Sequence, residues 1–149
     1  MVVLLVLRKA ADQPNQILLG IDKRQPPMGE IIMPDWEAAS SPGKILAIEN
    51  LCEIAARRIL KDYYGLEIDA NARLGASNFI DPEYANVNGG PVCFYPVLIS
   101  FDDCRITQDG QVWGEAWKIA SGTEASSGMQ WEVFRRGVRR CEEHFSPAD

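Results

Sequence analysis

The feature that most constrains this chain is its opening apolar run, Val2 to Leu7, followed at once by Arg8 and Lys9. The run is too short to span a bilayer, and no basic segment precedes it as a secretory signal needs. A brief, unbroken stretch of Val and Leu reads instead as a buried strand. A second apolar run, Gln16 to Asp22, lies beyond the polar segment KAADQPN, where Pro14 marks a hairpin connection or longer turn. Such a pair belongs in the middle of a sheet.

The rest of the composition fits one globular domain covering residues 1–149. The chain has 149 residues and 46% hydrophobic content, enough for a single core. Its aromatic content of 9% and charged content of 24% give no case for disorder, collagen or coiled coil. The formal charge of −6 argues against nonspecific nucleic-acid binding, because the whole molecule repels phosphates, although a local basic patch can still take an anion. The four cysteines, Cys52, Cys93, Cys104 and Cys141, form no C-x-x-C pair, and His144 has no evident second ligand. Reduced thiols in a cytoplasmic protein is the plain expectation, with neither a zinc nor a redox site.

Along the chain, Lys23 to Gly43 carries Pro26, Pro27, Pro34 and Pro42 around a short EIIM run, which suggests one brief strand in a long, site-shaping loop. From Ile45 to Tyr64, the residues Ile48, Leu51, Cys52, Ala55, Ile59 and Tyr63 recur at helical spacing, and Gly65 follows as a stop. LEIDANARLGASNFI reads as one or two extended pieces. Asn88-Gly89-Gly90 then turns the chain into the strand PVCFYPVLISF, and Asp109-Gly110 into a further strand from Gln111 to Ile119. Ser127-x-x-Gln130 fits a capping box for a C-terminal helix with Met129, Trp131, Phe134, Val138, Cys141 and Phe145 on its apolar face. Its Arg135, Arg136, Arg139 and Arg140 read as a solvated face, with an anionic partner as the alternative.

Residues 43–66, GKILAIENLCEIAARRILKDYYGL, resemble the box of the Nudix (MutT-like) superfamily. That motif runs as glycine, five residues, glutamate, seven residues, arginine, glutamate, an aliphatic, one residue, two glutamates, one residue, glycine and an aliphatic. Gly43, Glu49, Arg57 and Ile59 fall in register, and Gly65 and Leu66 match after one extra residue at Tyr63-Tyr64. The preceding hairpin and SPGK resemble the family's approach to its box, and EAWKI at 115–119 looks like a late family strand. The resemblance implies an α/β fold, an α/β/α sandwich with a mixed β-sheet. It also implies a nucleotide or other nucleoside-diphosphate derivative as ligand and, in an active member, metal-assisted hydrolysis of a diphosphate linkage with Mg²⁺ or Mn²⁺.

The box is degenerate where the family's glutamates hold the metal. Those positions carry Arg58, Lys61 and Asp62, or Ile59, Asp62 and Tyr63 if the register slides by one so that Arg58 becomes the motif arginine. In the first register the three side chains sum to +1, where three glutamates would carry −3. Unit charges 4 Å apart interact by about 4 kcal/mol at an effective dielectric near 20, so a normal metal cluster is not expected.

Three readings stay open. Glu53, Arg57 and Lys61, with Arg58 and Asp62, are i,i+4 pairs on a solvated helix face. Alternatively, Arg58 and Lys61 contact a phosphate directly in place of the metal. In the third, Glu49, Glu53 and Asp62, with Glu83, Glu115 or Glu124 from loops, gather a metal in a rearranged hydrolase site. Trp36, Trp113 and Trp117 are candidates to stack on a base, against a core role for each. A catalytically silent module supporting a protein or RNA assembly is the competing function class, and a homodimer remains open.

Overall fold

The computed structural model describes residues 1–10, 12–20, 25–31, 44–72, 83–87, 90–122 and 129–145. The apolar runs form the heart of one sheet: β1 (Val2–Ala10), β2 (Gln13–Gly20), β5 (Glu83–Val87), β6 (Gly90–Ser100) and β8 (Val112–Glu115), in the order β5-β6-β1-β2-β8, with β3 (Met28–Gly29) also paired to β1. β1 and β6 are parallel, Val2 opposite Tyr95 through Leu7 opposite Ser100, while the other pairs are antiparallel, so the sheet is mixed. A second, two-stranded sheet joins β4 (Leu66–Ile68) to β7 (Cys104–Ile106).

Alternation along β1 divides the core in two. Val2, Leu4 and Val6 pack with Cys52, Ala55, Ala56, Ile59 and Leu60 of α1 (Lys44–Tyr64). Val3 and Leu5 pack with Ala116 and Ile119 of α2 (Ala116–Ser121) and Trp131, Phe134, Val138 and Cys141 of α3 (Met129–Phe145). Successive strand side chains point to opposite faces, so this alternation sets one helix on one side of the sheet and two on the other. The result is the expected α/β/α sandwich.

The strands tolerate their prolines for definable reasons. The segment read as a connection between the first two runs is mostly strand: Ala10 already pairs with Gln13. A register shift between Arg8 and Ala10 sets Lys9 against Pro14 and Asn15, so Pro14 sits in a bulge, where no ladder donor is needed. In β6, the Tyr95 N–H donates to Met1 O, which turns the nitrogen of Pro96 toward the other edge. There, among the described residues, the pairing with β5 reaches only to Phe94.

Three expectations need correction. Tyr63 extends the spacing from Ile59, yet it is 63% exposed, and Tyr64 is buried in the α1-side core instead. Leu51 of the same expected face is half-buried. The strand expected over Gln111 to Ile119 stops at Glu115, where the pairing of β2 with β8 ends at Gln16. In a strand Trp117 and Ile119 would share a face, but Trp117 is 48% exposed and Ile119 is 2% exposed. Burial of Ala116 and Ile119, three residues apart, suits a helical turn against α3, and Gly122 closes it at φ 76° with its N–H on Ile119 O. The Ile32-Met33 part of EIIM, Ser127, and the side chains of Ile48, Met129, His144 and Phe145 lie outside the described residues.

The carboxyl end of α1 is held in place by the segment before β8. Gly65 follows the helix at φ 61°, in the left-handed region. Its carbonyl accepts from Thr107 N at 2.8 Å and Thr107 Oγ1 at 3.0 Å, and Gln111 Nε2 donates to Tyr64 O at 2.5 Å. A Cβ on Gly65 would collide with the Gln108 side chain. Gly65→Ala therefore adds left-handed strain to a steric clash, and urea unfolding should show a loss of about 1–3 kcal/mol. Tyr63→Ala, on the exposed side of the same turn, should stay within about 0.5 kcal/mol of the parent.

Candidate functional site

α1 supplies the frame on which the box-like residues are displayed. It is helical from Lys44 through Tyr64 without a break. One added residue inside a regular helix turns everything beyond it by about 100°. Gly43, Glu49 and Arg57 stay in register only with one added residue before Gly65, whereas the register that slides the motif arginine to Arg58 needs none and gives up those three matches. In that register the glutamate positions hold Ile59, Asp62 and Tyr63. Ile59 is 3% exposed and packs so closely on Gly29 that a Cβ there would collide with it. Asp62 and Tyr63 are exposed.

The acidic candidates do not converge. Glu53 and Asp62 are nine residues apart on one helix, about 13–14 Å along its axis and about 180° around it. Glu53 is also engaged, with Oε1 3.0 Å from Nη2 of Arg57. Glu115, at the end of β8, pairs with Lys118 at 3.2 Å. Gly43, Glu124 and the side chains of Glu49 and Glu83 lie outside the described residues. Among the described residues no group of three His, Cys, Asp or Glu side chains is placed to hold a metal ion. The divalent ion that the family resemblance implies therefore does not fit the described side chains of α1.

The two arginines have different duties. Arg57 is a structural clamp: besides Glu53, its guanidinium donates to Ile68 O at 3.3 Å, Asp69 O at 3.0 Å and Ala72 O at 2.9 Å. It thereby satisfies the carbonyls where β4 ends and the chain turns. Arg58 turns the other way, donating from Nη2 to Glu30 O at 3.0 Å, just beyond β3. Lys61, one turn further on, is exposed. Of the expected i,i+4 ladder, the Glu53–Arg57 rung is present.

The aromatic candidates are separated by the sheet. Trp113 is half-buried against the α1 side of the core and meets Phe101 edge to face at 5.2 Å. Trp117 belongs to α2, on the opposite side, with Lys118 Nζ 5.6 Å from its ring centroid. Trp36 lies outside the described residues. The α3 arginines are occupied locally: Arg135 and Arg136 approach Glu132 at 3.6 and 3.9 Å, Arg140 approaches Glu143 at 3.8 Å, and Arg139 donates to Ala120 O at 3.1 Å. Arg8 and Phe101, singled out by no motif, turn out to share a stack with Trp113. Only the long-range pairing of strands brings them together.

All four cysteines are free thiols. Burial, followed by the nearby Asp103 and Asp69 carboxylates, pushes the Cys104 thiol up to about 11. No helix among the described residues is long and apolar enough to cross a membrane.

No family model and no curated protein matches the chain. Among solved structures it is similar to the crystal structure of C. elegans Ap4A hydrolase, at 16% identity over 97% of this chain and 96% of that one, with a TM-score of 0.49. A binary complex of a C. elegans Ap4A hydrolase is similar at 16% identity over 99% and 97%, with a TM-score of 0.47. At that identity and score the likeness is one of outline and carries no chemistry.

Two outcomes follow from these contacts. Arg57→Ala removes charge-assisted bonds to three carbonyls and should cost about 2–3 kcal/mol in urea unfolding. Arg57→Lys should restore little of it, since a point charge cannot reproduce the fork. For Cys104, a thiol near 11 instead of 9.0 leaves about a hundredfold less thiolate at pH 8, so iodoacetamide should label it correspondingly slowly in the folded protein. Because the folded state holds this proton more tightly, the stability it contributes is complete below pH 9 and is lost as pH rises toward 11. Replacing Cys104 with Ser should flatten that alkaline part of the stability curve.

Proposed function

We propose that this chain is a Nudix-like domain that binds a nucleotide or another nucleoside-diphosphate derivative. In this reading Arg58 and Lys61 meet the ligand's phosphates in the region where a Nudix hydrolase would hold its metal. One observation supports it most. The box-like segment from Lys44 folds as a single helix on a mixed sheet, ends at a left-handed Gly65, and carries Arg58 and Lys61 one turn apart, with Arg58 bonded to the segment that follows β3. Guanidinium and ammonium groups both give charge-assisted bonds to phosphate oxygens. Arg58 has donors beyond the one on Glu30 O, and Lys61 is exposed.

The overall charge of −6 repels an anionic ligand at long range, so these local cations carry the attraction. Binding of this kind is independent of divalent metal. Hydrolysis by metal-activated water would need carboxylates that the described part of α1 does not assemble, so binding without efficient turnover is the expected activity. The domain works in the cytoplasm, consistent with its four free thiols.

A panel of nucleoside diphosphate derivatives, tested for binding and turnover with Mg²⁺, with Mn²⁺ and with chelator, separates a binder from a hydrolase. The parent should bind at least one member with the same affinity in chelator as in Mg²⁺. The double change Arg58→Glu with Lys61→Glu should weaken that binding at least tenfold, since two donors become two repelling charges. It should also create weak Mn²⁺ binding, because the two introduced carboxylates and Asp62, at offsets of three and four residues, would then share one helix face. Ligand affinity that survives the double change would overturn the phosphate role of Arg58 and Lys61.

A further inference from the structure

The carboxyl end of β1 carries a second cationic feature, on the α1 side of the sheet but away from Arg58. The Arg8 guanidinium carbon lies 4.7 Å from the Phe101 ring centroid and 5.9 Å from that of Trp113. Both rings are half-buried against the α1-side core, whereas Arg8 is exposed. Among the described residues Arg8 makes no ion pair or hydrogen bond, so its N–H groups are committed to no acceptor there. The rings flank the guanidinium, and among the described residues no acceptor meets its donors.

Strand register adds a neighbour. Gln16 of β2 lies directly opposite Arg8. Paired residues on adjacent strands hold their Cβ atoms about 5 Å apart on one face, so the Arg8 and Gln16 side chains rise from neighbouring points of the sheet. It too has no hydrogen bond among the described residues. Glu115, opposite Gln16 in the next strand, has its charge met by Lys118 at 3.2 Å. The row therefore sets a guanidinium and a carboxamide at paired positions of adjacent strands, and Glu115, the next position across, is already paired.

We infer that Arg8 and Gln16 form an oxyanion-binding site for a phosphoryl or carboxylate group. A freely moving arginine must give up side-chain freedom to grip an anion, and the Phe101–Trp113 stack removes much of that cost in advance. The fork geometry of guanidinium matches two oxygens of one carboxylate or phosphoryl group. The position fits as well, since β1 and β6 are parallel and α/β sheets take ligands outside the carboxyl ends of their parallel strands. Arg58 is tied to Glu30, next to the Gly29 that pairs with Val2, whereas Arg8 lies six residues further along β1, about 20 Å of extended backbone. The two cationic features are thus separate, and each stands or falls on its own test.

The test is an NMR titration of the intact chain with inorganic phosphate and, separately, with acetate, following the arginine Nε–Hε signals at constant ionic strength. The Arg8 signal is identified by its loss in Arg8→Ala. Saturable movement of that signal with either anion supports the site, and the stronger arm tells phosphoryl from carboxylate. The apparent affinity should fall at least fivefold in Arg8→Lys and in Gln16→Ala, which leave the sheet intact, and should be unchanged in Arg58→Ala. Movement that chloride reproduces equally, no saturable movement with either anion, or binding that Arg8→Lys and Gln16→Ala leave untouched would each overturn it.

Discussion

Val2, Val3, Leu4, Leu5, Val6 and Leu7 are each no more than 5% exposed, a degree of burial possible only for a strand covered on both faces. Fully burying one such side chain is worth about 1.5–3 kcal/mol, and β1 does so alternately into two separate clusters. α1 closes one cluster, and α2 with α3 closes the other. The same strand pairs with β6 along one edge and with β2 and β3 along the other. A polar substitution in this run would strand a group with neither water nor a partner, and it would disturb both layers together.

What α1 displays follows from that placement. Its inner side is committed to β1 and β6, and Ile59 is spent on packing over Gly29. Arg57 is committed to the turn after β4. Outside the core, α1 leaves Asn50, Ile54, Lys61, Asp62 and Tyr63 exposed and Arg58 half-buried and bonded to Glu30 O.

The layers were legible because their signals are local. An unbroken apolar run, three-to-four spacing from Leu51 to Ile59, and Gly65 at the helix stop each report on a few neighbouring residues. α2 was misjudged because six residues are too few to display a period, and Trp117 and Ile119 both suit strands. Pro14 read as a turn because the bulge that admits it depends on the register of β1 against β2. At the candidate site, the failure of Glu53 and Asp62 to converge was implicit in their helical phase. The stack of Arg8 on Phe101 and Trp113 was not legible, since it joins the ends of three strands far apart in the chain.

The parallel pairing of β1 with β6 also has a bearing on how the molecule is made. β1 is synthesised long before its partner, which begins at Gly90. Until then this very apolar strand has β2, β3 and α1 for company, and the edge that β6 later takes stays open. Parallel partners distant in sequence close late and slowly, because loop entropy must be overcome before the contacts reward it. Until β6 is made that apolar edge is exposed, the kind of surface on which unfinished chains aggregate.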